Sequence, residues 1–136
     1  RRAIARAMDL SSIRGARRIT RLAVSGAFHS SFMEMARDGL IQAISEIDFK
    51  RPNVPIIGNS TAEVLTQPED IRKELVEGMC KPVLWSASVK LMVDDGVTDV
   101  VELGPKNVLS TLAKRIDKNL KVFPVNSLQA VRQFAS

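Results

Sequence analysis

The sequence predicts an α/β fold with a largely parallel sheet. Strand-like apolar runs alternate with helix-like periodic segments along the whole chain, the order that layered α/β domains follow. The run Thr98–Leu103 has few polar breaks, as expected of a strand covered on both faces. The 136 residues are 45% hydrophobic and 26% charged, ordinary for a globular core and too apolar for a disordered chain. The length fits one domain or a piece of something larger.

Residues 2–13 read as a helix with Ala3, Ile4, Ala7 and Met8 on one side and Gly15 as its stop. Ile19–Val24 reads as a strand, and 25–30 as a short loop. A helix over about 31–47 follows, with Phe32, Met35, Ala36, Leu40, Ala43, Ile44 and Ile47 at helical spacing. Ser31 and Glu34 have the spacing of a capping box. Arg51-Pro52 breaks it, and Val54–Ile57 is a short strand ending at Gly58-Asn59.

Thr66-Gln67-Pro68-Glu69 has the form of a second capping box, starting a helix that carries Ile71, Leu75 and Met79. Ser86 is expected to cap a helix over 87–95 that Gly96 stops. After the 98–103 strand, Gly104-Pro105 turns into a helix with Val108, Leu109, Leu112 and Ile116 inward. Lys121–Val125 is the last strand and Ser127–Ala135 a final short helix. In such folds chemistry sits at the carboxyl ends of strands, here the loops at 25–30, 58–61 and 104–107.

Charge and composition narrow the function. The net charge is +5, but residues 1–21 hold seven arginines against Asp9, which leaves 13 basic and 14 acidic residues elsewhere. The excess is therefore one local stripe. With no Tyr, 4% aromatic residues and no recognisable motif, nucleic acid is not the expected partner. A solvated surface, or an anionic protein or cofactor partner, fits better. The apolar runs are too short for a membrane span. The single Cys80 excludes a disulfide scaffold and favours a reducing, cytoplasmic setting. No secretory signal is visible, because no apolar stretch follows the N-terminal arginines.

His29 is the only histidine, and it sits in a loop after an expected strand. Histidine is the commonest general base near neutral pH, but position alone also fits a surface residue. No Gly-x-Ser-x-Gly elbow accompanies it. Cys80 precedes Lys81-Pro82 at a helix end and reads as buried and inert. The amides that open the helix after Gly104-Pro105-Lys106-Asn107 could meet an anion or simply be capped. Met33, Met35, Met79 and Met92 fit helical core faces, and no metal site is indicated.

Ala23-Val24-Ser25-Gly26-Ala27-Phe28-His29-Ser30 resembles the signature loop of malonyl-CoA:acyl carrier protein transacylases and of related polyketide synthase acyltransferase domains. Asn53–Asn59 resembles that family's short strand ending in Asn, Lys81–Trp85 its x-Pro-Val-x-Trp element, and Val101–Pro105 with Val108-Leu109 its Glu-x-Gly-Pro turn. Four elements in order carry more than any one of them. The resemblance implies an α/β-hydrolase-like acyltransferase core with an inserted ferredoxin-like subdomain. This chain would be the C-terminal part: residues 1–24 the end of the subdomain, and residues 25–136 the core.

The chemistry so implied is transfer of malonyl from coenzyme A to the phosphopantetheine thiol of acyl carrier protein through a serine ester, in fatty acid biosynthesis. His29 matches the catalytic histidine. The backbone carbonyl that orients it aligns with Gly78. Phe28 matches a position that is bulky in malonyl-selective members and smaller in those taking methylmalonyl. Asn59 matches a recurring family Asn near the site, which points to a structural or substrate-positioning role. Malonyl-CoA is then substrate and no cofactor is bound.

The serine elbow, the oxyanion-hole segment and the malonate-binding arginine are absent, so the missing N-terminal half of the same enzyme becomes a required partner. Lys106 replaces the second Gly of the family's Gly-Pro-Gly turn. The alternatives are a polyketide synthase acyltransferase fragment and a non-enzymatic basic module that binds an acidic protein.

Overall fold

The computed structural model describes residues 2–21, 24 and 26–134. It opens with helix α1 (Arg2–Ile13), which buries none of its residues and ends at Gly15 with φ +83°. The expected strand over 19–24 is not found in its described part: residues 19–21 and 24 are irregular, while Leu22 and Ala23 lie outside the described residues. Ser25 of the signature loop lies outside them too.

A 3₁₀ turn (Ser31–Met33) leads into α2 (Glu34–Ser45). The Ser31/Glu34 capping box does not form. Ser30 takes the N-cap position, and its hydroxyl bonds the Ala27 carbonyl at 2.5 Å instead of a helix amide. Met35, expected on a core face, is 96% exposed, because the buried side of α2 is centred on Ile44.

Two residues each form β1 (Ile56–Ile57) and β2 (Val64–Leu65), which pair antiparallel. β2 was not expected from the sequence, since two residues are too few to show a period. The turn between them is built on Ala62, at φ +55°, with the Ala62 amide on the Gly58 carbonyl and the Gly58 amide on the Glu63 carbonyl. Helix α3 (Pro68–Gly78) follows with Pro68 in its first turn. Its N-cap is Gln67, with no side-chain cap, so the Thr66/Glu69 box is not formed either.

Helix α4 (Trp85–Asp94) begins one residue before its expected cap, with Leu84 at the N-cap position. It closes where Gly96 adopts φ +89°, with the Val97 amide reaching back to the Met92 carbonyl at 2.9 Å. A left-handed residue just past the last turn is the usual way to satisfy such carbonyls. Then come β3 (Asp99–Leu103), α5 (Val108–Ile116), β4 (Lys121–Val125) and α6 (Leu128–Phe134). Strands β3 and β4 pair in parallel, Asp99 opposite Lys121 through Leu103 opposite Val125, with α5 as the crossover.

The core lies on one face of this pair. Val89, Ala113 and Leu120 are its buried centre, packed round by Trp85, Met92, Val93, Val100, Ile116 and Val122. The inward face of α5 differs from the one expected. Ser110 and Ala113 are buried, whereas Val108, Leu109 and Leu112 remain 52%, 45% and 37% exposed. The expectation that β3 is covered on both faces also fails: its burial alternates, and Val101 and Leu103 stand bare.

Candidate active site

The site is built on the last turns of α3. A helix leaves its final carbonyls without partners inside the helix. Two of them, on Gly78 and Met79, are taken by one residue of the 26–30 loop. The His29 backbone amide donates to the Met79 carbonyl at 2.9 Å, and His29 Nδ1 lies 2.8 Å from the Gly78 carbonyl. A carbonyl oxygen only accepts, so Nδ1 carries the ring proton and Nε2 keeps a free lone pair. His29 is exposed, and its backbone is held at φ +61°, a left-handed conformation that few residues adopt and that clusters at functional sites.

Phe28 precedes it and is 61% exposed. Its ring lies on Gly26, where a Cβ would stand 2.8 Å from Cε2. Gly26 is thus the floor on which the ring rests.

Asn59 makes no hydrogen bond to His29. Its carbonyl accepts the Leu84 amide at 2.7 Å, which fixes it against the start of α4, and the residue itself is exposed. What links the two is α3. Its Glu74 carboxylate accepts the Ser60 amide (2.7 Å, Oε1) and the Ser60 hydroxyl (2.9 Å, Oε2), beside Asn59. Gly58 is buried against the same carboxylate, where a Cβ would come within 2.9 Å of Oε2. On the other side of α3, the Arg72 guanidinium donates to the last carbonyls of the α2 region, Ile44 at 2.7 Å and Ile47 at 2.9 Å. It also sits 4.7 Å over the Phe49 ring. Helix α3 therefore holds the histidine loop, the helix that follows it and the Asn59 loop. Neither Arg72 nor Glu74 stood out in the sequence, because a single charged residue on an amphipathic helix looks solvated.

The turn after β3 offers no vacant anion site. Glu102 turns back and accepts the Ser110 amide at 2.8 Å and the Leu109 amide at 3.1 Å, so it caps α5 itself. These bonds, that to Ser110 foremost, hold its carboxyl below the usual carboxylate range. Cys80 is half-buried. Among the described residues no group of three or more His, Cys, Asp or Glu side chains could hold a metal ion, and no helix is long and apolar enough to cross a membrane.

A cavity of about 390 Å³ lies along β3, lined by residues that include Ile57, Asn59, Trp85, Val89, Val101 and Ser110, but not by His29. Trp85 Nε1 is buried without a hydrogen-bond partner.

No protein-family profile matches the chain. Individual relatives do. The malonyl CoA-acyl carrier protein transacylase of Bacillus subtilis (strain 168) is 36% identical over 125 residues, covering 92% of this chain and 39% of the relative. The protein of that name from Staphylococcus aureus (strain COL) is 33% identical over 118 residues. A solved malonyl-CoA:acyl carrier protein transacylase from Xanthomonas oryzae pv. oryzae superposes with a TM-score of 0.89 at 35% identity, over 97% of this chain and 42% of that one. A malonyl-transacylase solved in complex with a type II polyketide acyl-carrier protein gives 0.89 at 33% identity, over 98% and 43%.

By sequence and fold together, the chain has the mixed α/β fold of the acyltransferases it matches. Within that class it belongs to the malonyl-CoA:acyl carrier protein transacylase family, and it spans about two fifths of the length of the relatives it matches.

Proposed function

We propose that this chain is the C-terminal part of a transacylase that moves malonyl from coenzyme A to the phosphopantetheine thiol of acyl carrier protein in fatty acid biosynthesis. Residues 1–24 are the end of an inserted ferredoxin-like subdomain, and residues 25–136 belong to an α/β-hydrolase-like core. The N-terminal half of the enzyme supplies the nucleophilic serine and is the obligatory partner. The observation that carries this reading is the 2.8 Å bond from His29 Nδ1 to the Gly78 carbonyl, which leaves Nε2 free as a base.

His29 Nε2 takes the serine proton as the hydroxyl oxygen attacks the thioester carbonyl, and the proton passes to the departing coenzyme A sulfur. In the second half, Nε2 takes the proton of the carrier thiol, the sulfur attacks the seryl ester, and the proton returns to the serine oxygen. Gly78 orients the ring. Phe28 screens the acyl group, and Asn59 positions it. The arginines at 14, 17, 18 and 21 give an acidic carrier a complementary surface.

The open edge of β3 and the apolar cavity beside it support a place for the missing half's sheet. The same chemistry in a polyketide pathway is the second reading, favoured by the neighbour solved with a type II polyketide carrier. Which carrier protein accepts the malonyl group distinguishes the two.

The test joins this chain to the N-terminal half of a transacylase and follows malonyl transfer to holo-carrier protein. The joined enzyme is expected to turn over. His29→Ala is expected to lower the rate by about 10²–10⁴-fold with an unchanged circular dichroism spectrum. Normal turnover by that variant removes His29 from the role of base.

A further inference from the structure

Glu74 lies in the middle of α3, one helical turn before Gly78, and each oxygen of its carboxylate accepts a bond from one short loop. Oε1 accepts the Ser60 amide and Oε2 the Ser60 hydroxyl, at 2.7 and 2.9 Å. The buried Gly58 packs against Oε2 on the other side of Asn59, and Gly78 itself lies so close that a Cβ there would stand 3.5 Å from Oε1. Asn59 is thus bracketed. The residue before it touches Glu74, the residue after it bonds Glu74, and its own carbonyl is held by the Leu84 amide. The helix that fixes this loop ends in the carbonyl that accepts from His29.

We propose that Glu74 is a positioning residue, which sets the Asn59 loop at a fixed distance from His29 and so fixes where the acyl thioester lies against the base. This rests on the transferase reading above. It differs from a purely structural role because the same helix carries both halves of the site. A carboxylate accepting two bonds from one residue is a rigid link, since hydrogen bonds to a charged acceptor are the stronger kind. Loss of that link frees the loop by a fraction of an ångström or more, and displacements of about 1 Å cost up to 10²-fold in rate.

The experiment uses the joined, active enzyme and compares Glu74→Ala with Glu74→Gln. The amide of Gln can still accept from the Ser60 backbone and donate to the Ser60 hydroxyl, so it keeps the geometry without the charge. Glu74→Ala is expected to lower kcat for malonyl transfer by about tenfold with KM for malonyl-CoA within about threefold, and Glu74→Gln to restore most of it. The pH dependence of turnover should not move, because the Gly78 carbonyl is untouched.

Parental kcat in Glu74→Ala overturns the proposal, as does a fall in melting temperature with no change in either constant. Failure of Gln to rescue overturns it as well. Should Glu74→Ala not fold, Ser60→Ala removes one of the two bonds, and a parental kcat there is equally fatal. His29→Ala, measured alongside, separates the failures: if it still turns over, the transferase mechanism falls; if it is dead while Glu74→Ala is unaltered, only the role of Glu74 does.

Discussion

Around His29 the demands on single residues are tightest. The ring must face a carbonyl, the backbone must turn sharply after Phe28, and the next residues must enter a helix. A left-handed φ of +61° meets all three and puts Phe28 with its ring on Gly26. Phe28 is 61% exposed in this chain, so its bulk stabilises no core and is available to screen a substrate. Phe28→Ser should therefore leave folding intact and relax acyl selectivity. Rejection of one extra methyl group is worth roughly 1–3 kcal/mol. The ratio of kcat/KM for malonyl-CoA over methylmalonyl-CoA is expected to fall by about tenfold or more in the joined enzyme. An unchanged ratio removes Phe28 from selectivity. At this scale the sequence was legible only through a resemblance. His29 alone looks like any loop histidine, and no spacing rule pairs it with a main-chain carbonyl 49 residues away. Glu74 was not legible at all, because its two partners lie in a turn whose shape depends on a two-residue strand.

Among the elements, the helices with strong apolar periodicity and the parallel β3/β4 pair could be read from the sequence. Their ends could not, since capping depends on which oxygen is nearest. Ser30 bonds Ala27 rather than a helix amide, α3 has no side-chain cap, and α4 starts at Trp85 rather than after Ser86. Among the described residues, the carboxylate that caps a helix comes from a strand, Glu102 onto α5. That cap has a consequence with pH. The Ser110 amide, with Leu109 in support, lowers the Glu102 pKa in the folded state from 4.5, against the opposing effect of desolvation. A carboxylate lowered in this way stabilises the fold at pH above its unfolded value and loses that contribution as pH falls through the lower folded value. Parent and Glu102→Gln should thus differ in unfolding midpoint at pH 6–7, and the gap should close as pH drops below about 4.5. A gap that stays constant down to pH 3 would mean that packing, not charge, secures the start of α5.

For the molecule as a whole, the informative feature is the uncovered side of the sheet. The run 98–103 reads as a strand covered on both faces, yet Val101 is 41% and Leu103 79% exposed, while their neighbours Val100 and Glu102 turn toward α4 and α5. The sequence thus reads as a burial that the described residues do not complete. The same side chain should then have two different energetic weights. In the chain by itself, Leu103→Ala removes an exposed group and is expected to change stability by no more than about 0.5 kcal/mol. It should also reduce self-association, because a bare strand edge with apolar side chains recruits other edges. In the joined enzyme, where the proposed N-terminal half covers that face, the same substitution is expected to cost about 2–5 kcal/mol, the usual range for a buried Leu cut to Ala. Denaturant unfolding of both forms reads the difference directly. Equal, small effects in the two settings would mean that the bare face of β3 stays in water in the assembled enzyme, and that the missing half packs elsewhere. A large effect confined to the joined form would locate the seam between the two halves along β3, some distance in sequence from His29.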